Sequence, residues 1–140
     1  MRLGDRIGEG GEGVVYLAAD RPGCLAKIAK DPAGLDAKLD ALLALRSERL
    51  TTAAAWPIEK VVGDDGGAVG YLMTHYPDTM LLHKVFQTKS RVQELPNADW
   101  AFLVRVAKNL ATCVHLVHAD GLVVGDLNES NVLVSGNALV

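Results

Sequence analysis

Three groups of residues have types and spacings that chemistry could use. Near the N-terminus, Gly8-Glu9-Gly10-Gly11-Glu12-Gly13-Val14-Val15 fits G-x-G-x-x-G-x-V. Glycines leave a backbone bare enough to close over phosphate groups. Lys27, in Leu25-Ala26-Lys27-Ile28, puts a point charge on a flexible stem, the usual form of a phosphate ligand. Lys30 competes for the same role. Toward the C-terminus, Gly125-Asp126-Leu127-Asn128-Glu129-Ser130-Asn131 sets a carboxylate and an amide five residues apart. Such a pair can accept a proton from a hydroxyl at Asp126 and hold a metal ion at Asn131. Each signal alone is unspecific: glycine turns fray, most strand lysines are solvated, and D-x4-N is commonplace.

The elements around these groups decide between readings. Five of the 14 glycines fall within the first 13 residues. Val14 to Ala19 is β-branched, aromatic and short, hence a strand. Asp20-Arg21-Pro22-Gly23 is a turn, and Cys24 to Ala29 a returning strand. A dinucleotide fingerprint needs a buried strand before its glycines and a helix after them. Here a short charged segment precedes and a strand follows, which favours a glycine hairpin closing over nucleotide phosphates. Asp31-Pro32 suits a helix start, and Leu35, Leu39, Leu42, Leu43 and Leu50 form an apolar stripe of helical spacing. Ile58–Val62 and Ala68–Tyr76 read as a hairpin about Gly63-Asp64-Asp65-Gly66-Gly67. The best helix runs from Asn97 or Asp99 to His118, with Leu103, Val106, Ala107, Leu110, Val114 and Val117 inward, Arg105, Lys108 and Asn109 outward, and Gly121 as its stop. Leu122-Val123-Val124 and Asn131–Val134 read as short strands, Ser135-Gly136-Asn137 as a turn, and Ala138–Val140 as the start of a further strand.

The 140 residues are 49% hydrophobic and 22% charged with a net charge of −3, which excludes disordered and fibrous classes and gives no bulk signal for nucleic acid. Cys24 and Cys113 show neither zinc spacing nor a disulfide framework. His115-x-x-His118 lacks a third ligand and reads as helix packing. With no apolar leader at Met1–Arg6 and no uninterrupted apolar run of about 18 residues, the expectation is a cytoplasmic chain without a membrane partner.

The ordered series of glycine turn, strand lysine, second hairpin, long helix and D-x4-N followed by an apolar strand resembles the protein-kinase superfamily, over essentially the whole chain. The closer pattern is similar to bacterial kinase-like proteins, some with helix-hairpin-helix regions downstream. The resemblance implies an α+β fold: a small β-rich lobe with one helix over residues 1–76, then the start of a helical lobe over 77–140. It implies ATP and Mg2+ as cofactors and a protein Ser/Thr hydroxyl as acceptor. Ile7, Gly8, Gly10, Gly11, Gly13 and Val15 would enclose the nucleotide, Lys27 would hold its phosphates, and Met73, Thr74, His75 and Tyr76 would line the adenine. Asp126 would be the catalytic carboxylate and Asn131 a magnesium ligand.

Departures temper this. Val124-Gly125 replaces the His-Arg of the kinase loop, and Asn128 stands where kinases keep a lysine that neutralises phosphoryl charge. No glutamate lies between Leu35 and Leu45 to pair with Lys27, leaving Asp36, Asp40 or Glu48. No D-F-G motif appears before Val140, so the expectation is the N-terminal part of a kinase-like domain, inactive alone, with apolar surface left uncovered on its long helix and last strands. Two alternatives stand beside it: a non-catalytic nucleotide-binding scaffold, and a small-molecule phosphotransferase of the aminoglycoside type.

Overall fold

The computed structural model describes all 140 residues, in two compact units: Met1–Thr51 with Ala55–Tyr76, and Thr52–Ala54 with Pro77–Val140.

The first unit is built on an antiparallel sheet of order β1-β2-β3-β5-β4, from β1 (Leu3–Glu9), β2 (Gly13–Ala18), β3 (Cys24–Ala29), β4 (Glu59–Val62) and β5 (Ala68–Thr74). Period-two alternation gives the sheet two faces. Ala18, Ala26, Val61 and Leu72 are the buried residues of a small core, with Cys24, Ile28, Ile58 and Val69 packed against it. Two glycines allow the strands on either side of β3 to approach it. A Cβ on Gly13 would meet the Ile28 carbonyl oxygen at 2.4 Å, and one on Gly70 would meet that of Lys27 at 2.3 Å.

The leucine stripe folds as two helices rather than one, α1 (Leu35–Ala44) and α2 (Glu48–Ala53), each burying one leucine, Leu39 and Leu50. Ser47 divides them, its Oγ accepting from Leu50 N at 3.1 Å in an N-cap hydrogen bond. Asp31-Pro32 does not start α1. Asp31 closes an Asx turn with Ala33 N at 3.0 Å, and the helix starts at Gly34, whose φ of 71° suits glycine alone.

The second unit is dominated by α5 (Trp100–Ala119), capped by Asp99, whose carboxylate accepts from Phe102 N at 2.7 Å. Gly121, at φ 77°, follows its end. By length and composition α5 is the one helix able to cross a membrane, and it is also a core helix of this unit. Its inward stripe is rotated from the expected one: Phe102, Val106 and Val117 are buried, Ala107 is exposed, and half-buried Asn109 donates to the Ala138 carbonyl at 2.8 Å. His115 and His118 are exposed rather than packed.

Three elements without a clear sequence signal, β6 (Thr79–Leu81), α3 (Leu82–Phe86) and α4 (Thr88–Glu94), precede α5. β6 pairs with β7 (Leu133–Ser135), and the expected strand at Ala138–Val140 is absent. After Ser135 the chain turns on itself, Ala138 N bonding to the Ser135 carbonyl at 3.0 Å, and buried Ala138 joins Val85, Phe102, Val106, Val132 and Val134 in the core. Trp100, Val104, Leu127 and Leu139 remain exposed.

Candidate functional site

The glycine hairpin between β1 and β2 is closed by Gly10 N donating to the Gly13 carbonyl at 2.9 Å. Gly13 is held against β3, whereas nothing approaches the Cβ positions of Gly8, Gly10 and Gly11, so the turn presents bare backbone. Ile7 at the end of β1 is exposed. Val15 on β2 stands directly opposite Lys27 on β3.

Lys27 is two-thirds or more buried along its side chain, and its ammonium lies 3.1 Å from Glu12 Oε2. Burial works against its charge, but Tyr71 and Glu12 outweigh burial and hold its pKa above the ordinary lysine value. A cavity of about 310 Å³ opens beside it, bounded by Gly11 and Glu12 of the turn, by Tyr71, and by Leu35 and Leu39 of α1. Lys30 and Lys38 also border it. Three ammonium groups against the carboxylates of Glu12 and Asp31 leave the lining beside the bare glycine turn with a net positive charge, a setting for an anion. Lys30, the competitor for the phosphate role, is committed to Glu9 at 2.5 Å.

None of the three acids expected to pair with Lys27 does so. Asp36 and Asp40 of α1 both bind Lys60 of β4, at 2.6 and 2.8 Å, and Asp36 also accepts from Ala68 N at 2.9 Å. The Lys60 hydrogen bond, helped by that of Ala68, holds the Asp36 carboxyl below its usual range. Glu48 begins α2. The acid at Lys27 is Glu12, from the glycine turn itself.

The expected adenine-lining residues lie at the other end of the sheet and do not border this cavity. Met73 and Thr74 end β5 opposite Leu25 and Cys24. The His75 N–H is spent on the Gly23 carbonyl at 2.9 Å, and Tyr76 is exposed.

In the second unit the structure brings Asp126 and Asn131 together. Asn131 Nδ2 donates to Asp126 Oδ2 at 2.8 Å and to the Asp126 carbonyl at 3.0 Å. Asn128 Nδ2 donates to the other carboxylate oxygen at 2.8 Å, while its own Oδ1 accepts from Ser130 N at 2.8 Å. The loop is tied to α3, His83 N bonding to the Glu129 carbonyl at 3.3 Å, and Leu82 N bonds to the Val132 carbonyl at 2.9 Å. Asp126 thus keeps two oxygens oriented by amides, with lone pairs to spare. No cluster of three or more His, Cys, Asp or Glu could hold a metal by itself. One carboxylate and one amide suit Mg2+ only if phosphate oxygens or water complete its shell.

The chain is similar over nearly all its length to proteins described as Protein kinase YegI. Those of Escherichia coli K12 and O157:H7 are each 34% identical, over 141 and 140 residues, covering 99% and 98% of this chain. The chain spans about a fifth of these relatives, 22% of each. The crystal structure of the Mycobacterium tuberculosis PknI kinase domain matches 99% of this chain and 56% of its own at a TM-score of 0.58 and 18% identity. The chain is protein-kinase-like. No protein-family model matches it.

Its five-stranded sheet matches the kinase N-lobe. Two features of this kinase-like chain escaped the sequence. Glu12 occupies a variable position of the glycine motif, where any residue fits the pattern. Tyr71 lies two residues before Met73, and only strand register shows that it faces Lys27.

Proposed function

We propose that this chain is the nucleotide-binding and catalytic-loop portion of an ATP-dependent kinase which, within a longer protein, phosphorylates Ser/Thr hydroxyls of protein substrates. The observation that carries the reading is Lys27 beside a bare glycine turn at a cavity bordered by two more lysines. Residues 1–76 would be the small lobe and 77–140 the start of the large one. ATP would supply the γ-phosphoryl group, and Asn131 together with phosphate oxygens would hold Mg2+, which would offset charge on the phosphates.

In this reading the bare backbone of the turn from Gly8 through Gly10 and Gly11 to Gly13 closes over the phosphates, its shape kept by the Gly10 N–H on the Gly13 carbonyl, and Lys27 exchanges Glu12 for a phosphate oxygen. Ile7 and Val15 pack on the nucleotide's apolar side, with Met73 and the backbone of Thr74 to Tyr76 at the adenine. Asp126, oriented by Asn128 and Asn131, accepts the proton of the attacking hydroxyl. The two free cysteines are in keeping with a reducing cytoplasm.

A second reading has its own observation. Asn128 puts a neutral amide on Asp126 where kinases keep a cation, which favours a nucleotide-binding scaffold with little turnover. Phosphate incorporation by the full-length protein, with and without Asp126→Asn, separates the two. A kinase loses at least about a hundredfold in kcat, the scale of general-base catalysis. Incorporation undiminished by Asp126→Asn refutes the assigned role. ATP binding with no incorporation by the unaltered protein favours the scaffold.

A further inference from the structure

The group standing beside Lys27 on the sheet itself is not an acid but Tyr71. The antiparallel register aligns Val15, Lys27, Tyr71 and Lys60 straight across β2, β3, β5 and β4. Directly opposed residues project from the same face with Cβ atoms about 4.5–5.5 Å apart. Tyr71 therefore lies between the two lysines, and it borders the same cavity as Lys27. Lys60 is held by Asp36 and Asp40 of α1, while Tyr71 is among the groups that favour the charged form of Lys27. The remaining charged groups around Lys27 are Glu12 from the turn, Lys30 and Asp31 beyond β3, and Lys38 from α1.

The two partners of Lys27 differ in kind. Glu12 is charged and its side chain is 79% exposed on a turn, so an incoming phosphate competes with it directly. Tyr71 is on a strand paired on both sides and has few rotatable bonds. A phenol can hold one of the three ammonium protons while leaving the other two for a ligand, and at neutral pH it adds no negative charge to repel a phosphate. We propose that Tyr71 is the positioning residue for Lys27, fixing the ammonium at the cavity by a neutral hydrogen bond from β5 in place of an acid from α1. Its functional weight rests on the reading of Lys27 as a phosphate ligand, but the pairing can be tested without nucleotide.

The test is acetic anhydride labelling of the lysines across alkaline pH on the 140-residue chain, with each lysine read by peptide mass spectrometry, for the unaltered chain and for Tyr71→Phe. Loss of the hydroxyl shifts the Lys27 labelling profile to lower pH and raises its labelling about threefold on the rising limb, with Lys60 unmoved. ATP titrations on both proteins accompany it, with Tyr71→Phe expected to weaken binding about threefold to tenfold through misplacement of the ammonium. A Lys27 profile that overlays the original refutes the positioning role. So does an equal shift at Lys60, because the hydroxyl then acts alike on both lysines that flank it rather than positioning Lys27. If Lys27 alone shifts but the unaltered chain binds no ATP, the pairing stands and the nucleotide reading fails. If ATP binds and Lys27 does not shift, the nucleotide reading stands and the pairing fails.

Discussion

Replacing Glu12 by Gln tests whether the glycine turn guards its own lysine. Glu12 and Lys27 lie 3.1 Å apart, with 79% and 27% of their side chains exposed. An ion pair so open on one side contributes about 0.2–1 kcal/mol, and a phosphate that binds Lys27 must displace it. The displaced carboxylate then stays on the same short turn, within several ångströms of the phosphate. Two like charges about 4 Å apart repel by ~1 kcal/mol in water and ~4 kcal/mol near a protein surface. The exposure of Glu12 places it close to the water limit. Together the two effects amount to about 1.2–2 kcal/mol, or roughly an eightfold to thirtyfold lower Kd for ATP in Glu12→Gln.

Isothermal titration of ATP into both proteins measures this directly. Because both effects are electrostatic and exposed, the gain shrinks as ionic strength rises from about 50 mM to about 500 mM. The reasoning is refuted if Glu12→Gln binds ATP more weakly, since Glu12 would then be shaping the turn rather than competing with the ligand. An affinity gain independent of salt also refutes it.

Gly70→Ala forces a Cβ to 2.3 Å from the Lys27 carbonyl oxygen, so urea unfolding followed by fluorescence of a Trp100→Phe background, in which Trp56 alone reports, should show about 2–3 kcal/mol of lost stability, whereas Gly11→Ala, with open space around it, should stay within about 0.5 kcal/mol. Asp36→Asn should lower the Tm of the first unit at neutral pH. Because the native Asp36 carboxyl titrates below its usual 3.8, its contribution is present above that value and is lost as pH falls through the lower native one; the gap between the two melting curves therefore closes in acid, and a gap constant down to that range refutes the assignment.

The sequence was most legible where periodicity is local and long. β2, β3 and the β4–β5 hairpin announce themselves through β-branched runs bounded by glycine turns, and α5 through its stripe and the Asp99 cap. Legibility failed where a small local competitor decided the outcome. Ser47 splits the leucine stripe, and the left-handed Gly34 takes the start of α1 from Asp31-Pro32. It failed again where pairing is distant. β7 was legible in outline, as a strand expected at Asn131–Val134, but its partner β6 is three residues long and lies some fifty residues away, so β6 does not show in a sliding window. The same limit governs the charges: nothing local in Asp36 or Asp40 tells that Lys60, rather than Lys27, will face them across α1.

Lys27 in the first unit and Asp126 in the second handle charge in different ways, and the difference bears on which step would suffer. Lys27 has one charged partner that a phosphate can replace and, in Tyr71, a neutral neighbour across the sheet that it need not disturb, so binding is an exchange rather than an insertion. Asp126 has only neutral partners, the amides of Asn128 and Asn131. A lysine at position 128 would stabilise the carboxylate anion and make it a weaker base, but it would also offset charge on a transferring phosphoryl group. Asparagine keeps a neutral hydrogen bond on Asp126 and brings no cation to the phosphoryl group. In the proposed kinase the loop therefore retains a competent proton acceptor and gives up electrostatic stabilisation of the transition state. That combination leaves nucleotide affinity intact and places the deficit in kcat, so slow turnover with ordinary KM is the kinetic signature that this loop dictates.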